Sequence, residues 1–363
     1  MSDTEAARPA LDTRKSIVLG LFGLAVIVLI FVRVIPQIGS YQDAVTSLEA
    51  MTAGSLACIV AAVLVYLAVY GLPFMAATPG LPYWRSQQLN QGAFAISNGV
   101  PAGGVFGLGV QYAMLASYGI EPTVSTAAIT AVGVWSIFVT LGLPILGVAA
   151  IQLSGQAASS FVWPAVLGLL ALAVTILAFA LIVRSENAAR RIGSIGNRIA
   201  APFVRRFRKG RSLDFVPMAL RFRSDIADLV SRRWQEITGT QLSVSVTQFL
   251  IFYVSLRGIE GWGAAGTPLL VAFGSFAVAQ IGLMIPITPG GLGTVDAAMI
   301  ALLTGLGVDA GVATAADLVW RAASFVPQII IGVVALITWT RQGTRALVER
   351  EAARREQAGE AEA

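Results

Sequence analysis

Three ionisable residues stand inside otherwise apolar stretches in the second half of this chain: Asp296, Asp317 and Arg321. A charge in hydrocarbon costs from about 2.5 to more than 10 kcal/mol, so such side chains turn to a protein interior and neutralise one another or a ligand. Asp317 and Arg321 are four residues apart, acid before base, the spacing at which side chains meet on one helix face. Self-pairing of these two is one reading. Asp296 has no such local partner, and a cross-helix pair with Arg321 is the other. In that second reading Arg321 binds an anionic head group, and Asp296 holds the guanidinium or exchanges with the anion.

Asp296 closes the stretch IPITPGGLGTVDAAM, residues 285–299, and the first half carries a counterpart, NGVPAGGVFGLGV at 98–110. Pro101, Pro286 and Pro289 each lack a backbone donor, and the glycines permit turns, so neither stretch continues as an ordinary helix. Unpaired amides and carbonyls persist at membrane depth only inside protein or beside a wet cavity. A helix starting after Pro-Gly-Gly aims free N–H groups and the positive end of its dipole into that cavity, which suits an anion such as a lipid phosphate. The candidate contacts are Asn98, Pro101, Gly103 and Gly104 in the first stretch and Pro289, Gly290, Gly291, Gly293 and Asp296 in the second, with Arg321 facing them. The same residues also fit ordinary turns between full spans, and Gly103 and Gly107 have small-xxx-small spacing for close helix packing.

The elements that must position these residues follow from the charge gaps. Of 363 residues 56% are hydrophobic and 12% charged, more apolar surface than one soluble core hides. No charge occurs in 16–32, 50–84, 86–120, 122–183, 237–256, 261–295 or 322–340. A span takes about 20 residues, so 122–183 holds two, with the polar QLSGQAASS at 152–160 as the turn. The run at 16–32 follows Arg14 and Lys15 without a small-x-small cleavage pattern and reads as a retained first helix. The sequence thus predicts an all-α polytopic membrane protein of about six full spans plus two broken hairpins, 86–120 and 262–308. Each arm of the first is too short for a hydrocarbon core of about 30 Å. One enters from each side, as a possible inverted repeat would place them; paired Gly/Pro-interrupted segments point to a transporter's central site.

Residues 184–239 carry thirteen bases against five acids and are expected on the cytoplasmic side. Arg14 and Lys15 in the 1–15 terminus, and Arg341 and Arg345 in the 341–363 tail, share that side, giving a multi-pass protein of the cell membrane with both termini inside. The loop thus divides the spans into halves, 16–183 and 240–340. Phe215, Met218, Phe222, Ile226, Leu229 and Trp234 recur at helical spacing among arginines, as in a helix lying on an anionic leaflet. Beside so many spans these arginines read as lipid-facing, not as nucleic-acid contacts.

The chain has no histidine and one cysteine, Cys58, so disulfides, Cys/His zinc sites and His-based catalysis are excluded. Walker and dinucleotide fingerprints and magnesium-spaced acids are missing, so no cofactor, metal or catalytic residue is expected. Arg85, between aromatics in PYWRSQQ, reads as an interfacial anchor or a secondary ligand contact. Asn90, Gln111, Gln248 and Gln280 either line a cavity or bridge helices; Gln111, Gln280 and Asp317 join Arg85 as secondary candidates.

With AISNGVPAGG, PITPGGLGTVDAAMIALL and DLVWRAASFVPQIIIGVVALITW laid out, the chain resembles the transmembrane-region family of lysylphosphatidylglycerol synthases, or flippase-like domain proteins, over about 16–340. The most specific element is Pro-Gly-Gly-Leu-Gly with a carboxylate three residues on and a final helix bearing an arginine. That carboxylate is commonly Glu in the family and is Asp296 here. The resemblance implies flipping of an aminoacylated phospholipid, or of another anionic or polyprenyl-phosphate lipid. Membrane lipids are then the partners. The synthases carry a large soluble aminoacyl-transfer domain, whereas this chain ends in the charged 341–363 tail, so no synthase activity is expected. A membrane scaffold for an envelope-lipid pathway, or a membrane-embedded glycosyl or aminoacyl transferase, is the alternative.

Overall fold

The computed structural model describes residues 51–99, 103–155, 162–207, 215–263, 265–284 and 289–362, with Thr46 and Glu49. The expected first helix at 16–32, Pro101 and Pro286 lie outside the described residues. Every regular element among those described is helical, and four stretches are long and apolar enough to cross a membrane: Ala53–Ala77, Pro122–Leu153, Leu229–Glu260 and Ala310–Gln342. This is an all-α polytopic membrane protein.

The first of these stretches is broken about three-quarters of the way along, at Gly71. Helix α1, Ala53–Tyr70, starts at Thr52, whose side chain accepts from Ser55 N, and stops at Gly71 because Pro73 cannot donate back to the preceding turn. A short helix α2, Leu72–Ala77, follows. The carbonyls freed at the break are taken up by the next helix, α3, Tyr83–Gly99. Ser86 donates to Gly71 O (2.5 Å), Gln87 to Leu67 O and Ala68 O (2.8 and 2.7 Å), Tyr83 to Ala68 O (2.7 Å), and Asn90 to Tyr70 O. The bridging reading of Asn90 is the one realised.

Helix α4, Gly103–Ser117, returns against α3. A Cβ on Gly103 would lie 2.3 Å from Ile96 O, and one on Gly107 would lie 2.0 Å from Ser97 Oγ, so the two arms touch backbone to backbone. The long helix α5, Pro122–Leu153, ends where the polar break was expected, and α6, Val162–Arg184, follows.

The basic stretch forms two helices. Helix α7, Glu186–Phe207, crosses α8, Phe215–Glu260, where a Cβ on Gly193 would lie 2.7 Å from Val216 Cα. Phe215 N also donates to Asn197 Oδ1 (2.6 Å). The periodic residues expected on a separate surface helix instead run without interruption into a span. Ile226 and Val230 consequently pack with Ala127, Ala128 and Trp135 of α5, a protein partner rather than a lipid leaflet.

Helix α9, Leu269–Ala279, packs on α5 through paired glycines: a Cβ on Gly147 would lie 2.9 Å from Gly274 O, and one on Gly274 would lie 2.3 Å from Ile151. A 3-10 turn, Gln280–Met284, continues α9; a second, Pro289–Gly291, leads to α10, Thr294–Gly305. The last helix, α11, is Ala310–Glu362. The main core joins α1, α8, α9, α10 and α11 around Tyr66, Phe252, Phe276, Met299 and Trp320.

Candidate functional site

Helix α11 serves as a ruler for both hairpins. From its start, Val312 and Ala313 share the core with Leu303 near the end of α10. One to three turns on, Arg321 meets Asp296 and the carbonyls of Gly290 and Gly291. Phe325 then stacks edge-on against Phe94 of α3, with ring centroids 5.4 Å apart. Further along, Gly332 lies against Gln91 O, and Gln88 donates to Ala335 O (3.2 Å) and Thr338 Oγ1 (3.0 Å). Near the end of the apolar stretch of α11, Trp339 donates to Ser117 (2.8 Å) at the end of α4.

The second hairpin therefore lies along the first part of α11 and the first hairpin along the following turns as far as Trp339, with Asn98 of the first and Gly290 of the second meeting beside Phe325. A Cβ on Gly290 would touch both tips' neighbours, at 2.6 Å from Phe325 and 2.9 Å from Asn98 Oδ1. Phe325 is about 23 Å from the start of the 33-residue stretch Ala310–Gln342, near its middle. The arms are short to match: α3 has 17 residues, α4 15 and α10 12, or about 25, 22 and 18 Å. These arms are each shorter than the four stretches long and apolar enough to cross a membrane.

The second tip owes its shape to three glycines with left-handed backbone, Gly290 (φ 61°), Gly291 (φ 68°) and Gly293 (φ 86°), a conformation that L side chains rarely adopt. This winding turns the carbonyls of Gly290 and Gly291 inward, where the Arg321 guanidinium accepts the role of their missing backbone partners: Nη1 donates to Gly290 O (3.2 Å) and Nη2 to Gly291 O (3.4 Å). Its Nε donates to Asp296 Oδ1. Asp296 Oδ2 in turn accepts from Gly293 N (2.6 Å), capping α10. The helix N-terminus expected to receive a ligand anion is thus occupied by the chain's own carboxylate. Thr294 locks the turn by donating to Gly282 O (3.0 Å) and Gly291 O (3.1 Å).

The cross-helix pair is the one that forms, with both side chains about 5% exposed or less. Arg321 also lies over Trp320 (4.5 Å to the ring centroid) and Phe325 (5.2 Å), a desolvated bed that strengthens its charge interactions. Asp317, 2% exposed, faces both Asp296 and Arg321, and its Oδ1 has no hydrogen-bond partner. Tyr66 donates to Gln328 Oε1 (3.0 Å), an amide that Tyr70 also meets. Asp317, Arg321, Ser324 and Gln328 recur at helical spacing on the buried side of α11. Gln328, Tyr66, Tyr70 and Phe94 were missed in the sequence; the spacing of Gln328 from Arg321 was a usable signal for one of them.

The other candidates divide. Asn98 is at the meeting of the tips, with its amide donating to Phe94 O (3.0 Å). Gly103 serves the α3–α4 contact, while Gly104 is exposed with nothing within 4 Å of a Cβ. Gln280 is buried at the start of the 3-10 turn, its Nε2 unpartnered. Gln111 is half-buried on α4. Arg85 lies about 20 Å along α3 from Asn98, exposed, with Cζ 5.2 Å from the Tyr118 ring centroid; it belongs to the base of the hairpin, not to its tip. A cavity of about 270 Å³ lined by Glu260, Thr267, Gly307 and Asp309 likewise sits at the base of the second hairpin, the length of α10 from the ion pair.

The model of one family, the lysylphosphatidylglycerol synthase TM region, matches residues 20–332, a range that takes in both tips, Asp296, Asp317 and Arg321. The chain belongs to that family. It is a multi-pass membrane protein of the lipid-related, flippase-like kind. A search of curated proteins returns no match.

Proposed function

We propose that the protein moves a lipid with an anionic, phosphate-bearing head group between leaflets, and that it does so without catalysing a reaction of its own. The observation carrying this reading is Arg321, buried about a third of the way along the apolar stretch Ala310–Gln342 of α11, beside the glycine turn of the second hairpin and held by groups that a phosphate can replace. Asp296 gives Arg321 only Oδ1, because its Oδ2 caps Gly293, whereas a phosphate can offer two oxygens to the planar fork at comparable charge. Arriving at Arg321, it displaces Asp296 and the carbonyls of Gly290 and Gly291, and the second tip loses the contacts that hold it closed. Broken segments meeting at mid-depth are the usual site of alternating access in transporters with re-entrant elements. An aminoacylated head group also fits, its ammonium going to Asp296 or Asp317 as its phosphate goes to Arg321. The positive-inside rule puts α7 and the start of α8 in the cytoplasm.

The test is reconstitution of the full chain and measurement of leaflet exchange of a fluorescent phosphatidylglycerol. Exchange is expected to fall more than tenfold in Arg321→Ala and to survive in part in Arg321→Lys. Wild-type rates in a folded Arg321→Ala would remove the proposal. The scaffold reading draws on the exposed arginines of α7 and α8. Removing 200–235 would also delete Ile226 and Val230 from the core, so Arg190→Gln with Arg191→Gln is the cleaner probe: a scaffold loses its partner, and a flippase keeps its exchange.

A further inference from the structure

Asp296, Asp317 and Arg321 are buried together, and two carboxylates against one guanidinium leave one negative charge over. No second cationic side chain is shown reaching them among the described residues, and the neighbours Tyr66, Tyr70 and Gln328 are neutral groups. Arg321 is committed to Asp296 and the glycine carbonyls, and Asp317 Oδ1 is left buried without a partner. An uncompensated charge in an apolar interior is too costly to persist, so something positive completes the set. Among the described residues no group of three or more acids gathers around a common point.

We propose that Asp317, with Asp296, forms a binding site for one monovalent cation, a proton or a sodium ion, that travels with the lipid. The coupling rests on the flippase reading above; the cation site does not. At rest, one cation balances the triad. When a phosphate takes Arg321, Asp296 loses its guanidinium and a second cation enters beside the two carboxyls. The phosphate leaves with that cation, and Arg321 returns to Asp296. One lipid charge of −1 and one cation of +1 cross together, so the step is electroneutral. At equilibrium the leaflet ratio of the lipid follows the cation gradient, about tenfold for a tenfold gradient.

The site is tested on the full chain in lipid-free detergent, where no lipid ammonium takes part, by infrared difference spectroscopy in the carboxyl region. A buried-carboxyl band, distinct from those of the exposed acids, that responds to pH alone identifies a proton, and one that responds to sodium at constant pH identifies sodium; that band is expected to be missing from Asp317→Asn, which keeps the shape and removes the charge. A wild-type protein with neither response, or an Asp317→Asn protein with an unchanged one, overturns the site. In vesicles, lipid distribution should follow the imposed proton or sodium gradient and ignore membrane potential in wild type, and lose that dependence in Asp317→Asn. Exchange indifferent to both gradients overturns the coupling while the flippase stands. Cation binding without lipid exchange keeps the site and overturns the flippase reading instead.

Discussion

The two hairpins, one interrupted at Pro-Ala-Gly-Gly and the other at Pro-Gly-Gly, begin from similar sequence and end as opposite devices. In the first, α3 and α4 meet through Gly103 and Gly107, whose missing side chains let backbone pack on backbone. In the second, glycines at positive φ wind the chain so that its carbonyls point at Arg321, and an ion pair closes the arrangement. One is held by shape and the other by charge. Packing of this kind is released only by separating the helices, whereas a charge contact is released by any better anion. On the proposed function the second tip is the part that moves, and the first is the surface it moves against.

The largest break in that comparison comes from Arg321→Ala. It strands Asp296 and Asp317 together in the interior, a loss of about 3–5 kcal/mol expected as a lower thermal midpoint in detergent and poor yield. Asp296→Asn with Arg321→Ala should recover part of it. The glycines test the contrast between shape and charge directly. Gly290→Ala, in a left-handed conformation and against Phe325, should cost about 1–3 kcal/mol and also slow lipid exchange. Gly103→Ala should cost a similar amount in stability by forcing α3 and α4 apart, whereas Gly104→Ala, with open space around it, should change stability by no more than about 0.5 kcal/mol.

A smaller effect is expected for Tyr66→Phe, which removes one hydrogen bond to Gln328 and should cost about 1 kcal/mol in a thermal scan. The smallest is at the surface. Arg190 beside Glu186 holds that carboxyl below its usual range, so the pair stabilises the fold above the ordinary carboxylate pKa and loses this as pH falls through the lowered value. Both side chains are more than half exposed, so Glu186→Gln should leave the thermal midpoint at neutral pH unchanged within error.

Much of this was legible before any coordinates. The charge gaps located the four candidate spans found among the described residues, Pro- and Gly-rich stretches marked the breaks between α3 and α4 and between α9 and α10, and the rarity of intramembrane charge singled out Asp296, Asp317 and Arg321. Other parts were not. The residues from Phe215 to Trp234 have the pattern of a surface helix, and only the absence of a breaker before the next span, with α5 waiting beside Ile226, makes them the start of α8. Gly103 and Gly104 are adjacent and chemically identical, yet one is pressed on Ile96 and the other faces open space.

What the sequence determined by itself is therefore local or compositional: a helical chain for hydrocarbon, two places where helices must stop, and three charges that had to find company. Which company was decided by the tertiary structure. Asp317 is four residues from Arg321 and had the shorter route, but winding of the glycine turn brings Asp296 and two carbonyls to the guanidinium, and these win it. The physical reason is that a buried guanidinium has five donors to satisfy; one neighbour on its own helix cannot do that, and a folded loop can.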